Sequence, residues 1–253
     1  MNQIQAFIYN FDKDYFSGYT AKDDEKTTSR LKAYIHILDS TVRLTNECFY
    51  LVDFYKGSIP YMSYNPLYLC GLEPEIIKNQ IDFSFNTYFA TPQDIERTSK
   101  LTEEWLLFIM QKKISERIEY CLGIDYHLNK KLISLSMTPV ILTPNGYPIV
   151  ILCKVNLSRR LEAGETVILK NNCRNYWIYK NNQWMEKEHA KLNDMELQVL
   201  LLSVQGKTEN EICRSIYRSK DGLKTIKRKL FQKMEVKTIT EAVFNAIHYG
   251  LIR

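Results

Sequence analysis

Hydrophobic positions along this chain follow two periods. From Lys191 onward they recur at helical spacing. Leu223, Ile226, Leu230 and Met234 share one side of the segment SKDGLKTIKRKLFQKM, and Lys224, Thr225, Arg228 and Gln232 share the other. The pattern predicts a helix over Lys220–Met234 with an apolar face and a basic, hydrogen-bonding face. Three nearby helix starts carry a small polar residue followed three positions later by Glu: Asn193 with Glu196, Thr208 with Glu211, and Thr238 with Glu241. Each pair can satisfy orphan backbone N–H groups reciprocally. Ser219 is a fourth candidate cap, and Gly206 and Gly250 are stop signals. Four helices of about 10–15 residues with short links are expected.

Upstream the periodicity changes. Leu31, Tyr34, Ile35, Leu38, Val42 and Thr45 form a helical stripe over 29–47, preceded by KDDEKTTSR, which reads as an exposed link. Such a helix docks on a sheet or pairs with its twin in a dimer. CFYLVDF reads as a strand, and GSIPYMSYN as a turn and a second strand. Short helical pieces are expected after Asn65-Pro66, up to Gly71, and again after Pro74. A turn at Pro92–Asp94 leads into a helix over 93–115. Three strands follow, over 117–127, 131–143 and 147–157, with Asn145-Gly146 as the strongest hairpin signal. GETVILK, NYWIYK and NNQWMEKE add a strand-rich connection with Trp177 and Trp184 on its apolar side.

Charge placement sharpens this division. The chain has 253 residues and a net charge of +5. Residues 191–253 hold 12 Lys and Arg against 7 Asp and Glu, so the whole excess lies there and the remainder is neutral. A basic excess confined to one helical segment is the electrostatic footprint of a phosphate-binding surface. The six cysteines are scattered without a C-x-x-C pair, which argues against a zinc site or disulfide scaffold. The longest apolar run, Trp105 to Met110, is far too short for a membrane span, and the N-terminus lacks a signal-peptide pattern. A cytoplasmic, reduced protein is expected. No paired carboxylates, nucleophile–base set or phosphate loop emerges, so no enzyme is expected.

The stretch Leu192 to Val243 resembles the LuxR-type (GerE-like) helix-turn-helix domain without a gap. The resemblance rests on Leu192, Glu196, Val199, Leu200, Gly206, Glu211, Ile212, Ser219, Lys224, Lys233, Val236, Thr240, Glu241 and Ala242. Departures are Asn193, Met195, Cys213, Gly222 and Ile226. Gly222 falls in the first turn of the reading helix, where it loses about 0.8–1 kcal/mol relative to Ala. The resemblance implies that Lys220–Met234 enters the DNA major groove. Lys224, Thr225 and Arg228 would contact bases, and Ser219, Lys220, Lys229 and Thr208 would contact phosphates. The last helix would pair across a two-fold axis through Thr240, Val243, Phe244 and Ile247. The implied partners are a two-fold symmetric double-stranded operator and a second copy of the chain, a homodimer with no membrane involvement.

The order of elements over 45–158 resembles a PAS domain, carried by Asn65, Pro66, Leu69, Gly71, Glu75, Pro92, Asp94, Tyr120 and the closing PVILTPNGYPIV. The expected fold is an α+β PAS-like domain, an antiparallel sheet flanked by helices, plus an all-α four-helix helix-turn-helix domain. The expected boundaries are 1–44 for the N-terminal segment and helix, 45–158 for the PAS-like domain, 159–189 for a β-hairpin linker and 190–253 for the DNA-binding domain. The resemblance implies a domain that senses a small molecule, binds haem or flavin, or dimerises. No cofactor is assigned. Dense aromatics between Phe49 and Phe89 line a pocket or fill a core, and His36 and His127 are the candidate haem ligands. NNCRNYW resembles the Asn-Cys-Arg run of light-sensing flavin domains, but it follows the last PAS-like strands instead of preceding them. The overall expectation is a sequence-specific transcriptional regulator, against the alternative of a ligand-free interaction module governed by a partner protein.

Overall fold

A computed structural model of the protein describes residues 15–45, 47–65, 68–78, 89–158, 163, 165–171 and 173–252. Pro66 and the aromatics of 79–88 lie outside this set. The chain divides into two compact units. One is Met1–Asn171 with Ile178–Gln183, the other Asn172–Trp177 with Trp184–Arg253. Residues 159–189, read in sequence as a separate linker, are therefore shared between the two.

The first helix, α1, spans Ala21–Thr45. Strands β1 (Cys48–Asp53) and β2 (Ser58–Met62) follow, and helix α2 covers Pro92–Met110. Then come β3 (Tyr120–Leu128), β4 (Lys131–Leu142), β5 (Pro148–Leu157), β6 (Val167–Lys170), β7 (Asn175–Lys180) and β8 (Gln183–Glu188). They form one eight-stranded sheet in the order β2-β1-β5-β4-β3-β6-β7-β8. The registered pairs are antiparallel, for example Tyr50 opposite Cys153 and Ile124 opposite Leu135. An α+β architecture is what a two-strand hairpin, short helices and then three consecutive strands predict.

The stripe on α1 docks on the sheet. Leu31 and Leu38 are buried against Phe49, Leu51, Tyr61, Ile141 and Ile149, with Tyr34, Ile35 and Val42 packed alongside. Thr45 stands outside that stripe, exposed. The helix also begins earlier than its apolar pattern does. KDDEKTTSR is helical because Thr20 and Asp23 cap each other, and Lys56 Nζ reaches Asp24 Oδ1 at 3.1 Å. The buried Thr27 hydroxyl meets Tyr19 Oη at 2.8 Å.

Two more boundaries differ from expectation for physical reasons. The predicted turn at Pro92–Asp94 is the first turn of α2, since Thr91 Oγ1 accepts from the Asp94 N–H at 3.1 Å and Pro92 sits where no donor is needed. The same helix stops at Met110 instead of 115, and Ile114–Glu119 forms a 3₁₀ turn, so β3 starts at Tyr120. Arg117, buried in that turn, donates to the carbonyls of Met110, Lys112 and Gly146 at 2.9, 3.1 and 2.7 Å. It satisfies the carbonyls that a terminating helix leaves open. Burial lowers its pKa from the ordinary arginine value. The hairpin at Asn145-Gly146 is a three-residue loop closed by Thr143 and Tyr147, with Gly146 at φ 84°. At that glycine a Cβ would meet Arg117 Nη1 at 2.7 Å.

The helical unit holds α3 (Asp194–Val204), α4 (Glu209–Ser215), α5 (Lys220–Met234) and α6 (Ile239–His248). The expected capping pairs form at Asn193, with both reciprocal bonds present, and likewise at Thr208. Thr238 Oγ1 accepts from the Glu241 N–H, and Ser219 Oγ from that of Gly222. At seven residues α4 is shorter than expected, because the chain turns left-handed at Tyr217, φ 53°.

Candidate nucleic-acid interface

Two separate clusters hold α5 along its length. Leu223 and Ile226 pack with Val199, Ile212 and Ile216, while Leu230, Phe231 and Met234 pack with Leu200, Val236, Ala242 and Ala246. These positions recur every three or four residues, so a single face of the helix is consumed. Two ion pairs add to the grip. Lys227 Nζ lies 2.7 Å from Glu209 Oε1 on α4. Lys233 Nζ lies 2.6 Å from Glu196 Oε2 at the start of α3 and also donates to the Lys191 carbonyl at 3.0 Å.

Glu196 is 1% exposed. Burial by itself would raise its pKa. The Lys233 ammonium and the Asn193 N–H more than compensate and hold the carboxyl below the usual glutamate range. Glu209 is likewise lowered, by its hydrogen bond and charge contact with Lys227. Lys227 is thus fixed to α4 by Glu209.

The opposite face of α5 is bare. Lys220, Lys224, Thr225, Arg228 and Lys229 are all exposed. None of the four cations forms an ion pair with any described residue. Thr225 Oγ1 donates to the Asp221 carbonyl at 3.0 Å, which satisfies the hydroxyl locally. Ser219 Oγ is exposed and accepts the Gly222 N–H at 3.2 Å. Thr208 Oγ1 is taken up in its cap, donating to Glu211 Oε2 at 2.8 Å. The fold therefore gathers six of the seven expected base- and phosphate-contacting residues on or next to one helix, and Thr208 stands at the start of α4. On α6, Thr240 is exposed, Val243 packs on the unit's own core, and Phe244 and Ile247 are half-buried.

Periodicity alone does not single out Tyr217 and Arg218. They occupy the turn between α4 and α5, and both are exposed, Tyr217 to 91%. The signal that could have found them is the run Tyr-Arg-Ser-Lys entering a basic helix.

In the sheet unit, His127 N–H and Nδ1 both face Asp94 Oδ2 at 3.2 Å, and His36 is exposed on α1. Among the described residues no three His, Cys, Asp or Glu side chains gather as a metal site. Burial pushes the Cys48 thiol up to about 11. An open cleft of about 720 Å³ is bordered by Glu96, Arg97, Lys100 and Leu101 of α2 and by Glu165, Thr166 and Tyr179. Among the described residues, none of the aromatics between Phe49 and Phe89 lines it. Cys173 of the Asn-Cys-Arg run sits in the connection from β6 to β7. Among the described residues, no helix is long and apolar enough to cross a membrane.

No protein-family profile matches the chain, and comparison with characterised proteins finds no match. Solved structures offer distant likenesses. A phage VqmA–DPO complex is 13% identical over 89% of this chain and 93% of that one, with a TM-score of 0.34. A Vibrio cholerae VqmA dimer without target DNA, described as a LuxR-type receptor, is 14% identical over 85% and 88%, at 0.31. A Vibrio cholerae VqmA–ligand–DNA complex is 14% identical over 86% and 92%, at 0.29. Likeness at this level establishes neither a fold nor an activity for the chain.

Proposed function

We propose that the protein is a sequence-specific DNA-binding transcriptional regulator whose α5 enters the major groove. One observation carries the reading: α5 is fixed by apolar clusters and ion pairs on one face, and its other face offers Lys220, Lys224, Arg228 and Lys229, exposed and without an ion pair among the described residues. A rigid helix with exposed cations and a threonine methyl suits base edges and flanking phosphates. In this reading Lys224, Thr225 and Arg228 contact bases. Ser219, Lys220 and Lys229 contact phosphates, with Thr208 at the start of α4. Phe244 and Ile247, half-buried on α6, form the two-fold contact together with Thr240 and Val243. The operator is then a two-fold symmetric duplex.

Binding-site selection from random duplexes with the full-length protein, followed by titration of Arg228→Ala, tests this. The expected loss is about 1–3 kcal/mol on the selected site, with relaxed preference at one base pair. An equal loss on every sequence would reassign Arg228 to a phosphate.

For the sheet unit we propose a PAS-like regulatory role, either sensing a small molecule or pairing with a protein partner. Native mass spectrometry of the full chain separates the two. Extra mass released on denaturation identifies a ligand, and a bare protomer mass favours the ligand-free interaction module.

A further inference from the structure

Tyr217 follows the last turn of α4 in a left-handed conformation, φ 53°. The Arg218 N–H reaches the Cys213 carbonyl at 3.0 Å and the Tyr217 N–H the Arg214 carbonyl at 3.3 Å. This is the helix-ending arrangement in which glycine is the usual occupant, because a side chain there costs free energy that glycine does not. Here the position carries a large aromatic instead, and its ring is almost wholly in water. Among the described residues, it joins neither apolar cluster of the helical unit.

Arg218 has a defined course. A Cβ added to Gly222 would meet Arg218 Cβ at 3.4 Å and Cδ at 3.8 Å. The arginine stem therefore runs along the open side of Gly222, against the first turn of α5. Between Lys207 and Lys229 there are 8 Lys and Arg but 3 Asp and Glu. Two of those acids are engaged, Glu209 by Lys227 and Glu211 in the Thr208 cap. Neither Arg214 nor Arg218 forms an ion pair with any described residue. The turn presents an exposed phenol and the exposed Arg218 side chain at the start of α5.

We infer that Tyr217 and Arg218 form a backbone clamp on DNA. The Tyr217 hydroxyl donates to a phosphate oxygen and the Arg218 guanidinium bonds a phosphate at the edge of the groove that α5 occupies. The inference rests on the DNA-binding reading above and adds two contacts that orient the helix without reading sequence. Phosphate is the fitting anion because both groups sit on the surface in open water, where a multiply bonded, regularly spaced anion competes with hydration better than a single carboxylate.

The test uses the full-length protein and a fluorescein-labelled mixed-sequence duplex of about 30 base pairs, titrated by anisotropy between about 50 and 200 mM salt. Arg218→Gln is expected to reduce the slope of log affinity against log salt by about 0.9, so that the fourfold rise in salt costs it about 3.5 times less affinity than it costs the wild type. Arg218→Lys is expected to keep the wild-type slope. Tyr217→Phe is expected to weaken binding several-fold at unchanged slope, equally on a selected and an unselected duplex. Both side chains are exposed, and circular dichroism verifies that the variants fold. Wild-type binding combined with an unchanged Arg218→Gln slope and unchanged Tyr217→Phe affinity overturns the clamp while leaving the DNA-binding reading intact. No binding by the wild type across the salt range overturns that reading itself.

Discussion

The two units of this protein are held together over different distances along the chain. In the sheet unit, Tyr15 Oη donates to the Pro148 carbonyl across 133 residues and Tyr34 Oη to that of Val140 across 106. In the helical unit, the bonds that begin its helices span three residues, as in Asn193 with Glu196 and Thr238 with Glu241. The first kind must close large loops before it is rewarded; the second is available as soon as the local chain is helical. The exposed face of α5 depends on the second kind, together with a small apolar core.

This separation is most vulnerable at the groups that carry most in each unit. Arg117→Ala removes the donor for three carbonyls drawn from α2, the loop after it and the β4–β5 hairpin. It is expected to cost about 3 kcal/mol, since buried acceptors left unmade are expensive. Hydrogen exchange should show that loss in the strands of the sheet unit, while the amides of α3–α6 keep their protection. Uniform loss in both units would contradict the separation.

Glu196→Ala is the counterpart in the helical unit and combines a lost cap with a lost ion pair. We expect about 2 kcal/mol, discounted because Lys233 is partly in water. Loss of protection should centre on α3 and the end of α5. The same carboxylate predicts a pH response. Its folded pKa is depressed, so its contribution is complete above the unfolded glutamate value of about 4.3 and is lost as pH falls through the lower folded value. Acid unfolding followed by urea titration should show that step in the wild type, and Glu196→Gln should lack it.

Thr238→Ala, a simple cap deletion, is the mildest of these changes. The expected cost is about 1 kcal/mol, confined to α6, measured by the same exchange experiment. Spread of that loss into the strands would mean that the two units unfold together.

Legibility in sequence followed the same division. The bounds of α5 and its two faces were readable because a helix repeats its environment every three or four residues, and the caps announce the ends. Lys224, Thr225 and Arg228 could be placed on an outward face from spacing alone. Tyr217 could not. Its left-handed turn lies at the junction of two helices, and a tyrosine there looks like a core residue until the packing is known. In the sheet unit, the stripe of α1 and the strand cores were legible from their periods. The polar start of α1 was not, because its support comes from Lys56 and Tyr19 outside the pattern. The true end of α2 was hidden for a similar reason: Arg117 reads as a surface cation, and only its three carbonyl partners reveal a buried clamp.

The helical unit's elements, the caps that start them, the basic face of α5 and the strand-and-helix order of the larger unit all follow from the amino-acid order. They depend on periodicity and on side chains bonding to backbone three residues away. The order of the eight strands, the docking of α1 on the sheet, the burial of Arg117 and the course of Arg218 past Gly222 emerge only in the folded molecule. Each of those is a contact between residues that no local rule pairs, chosen by which partners the folded chain brings within reach.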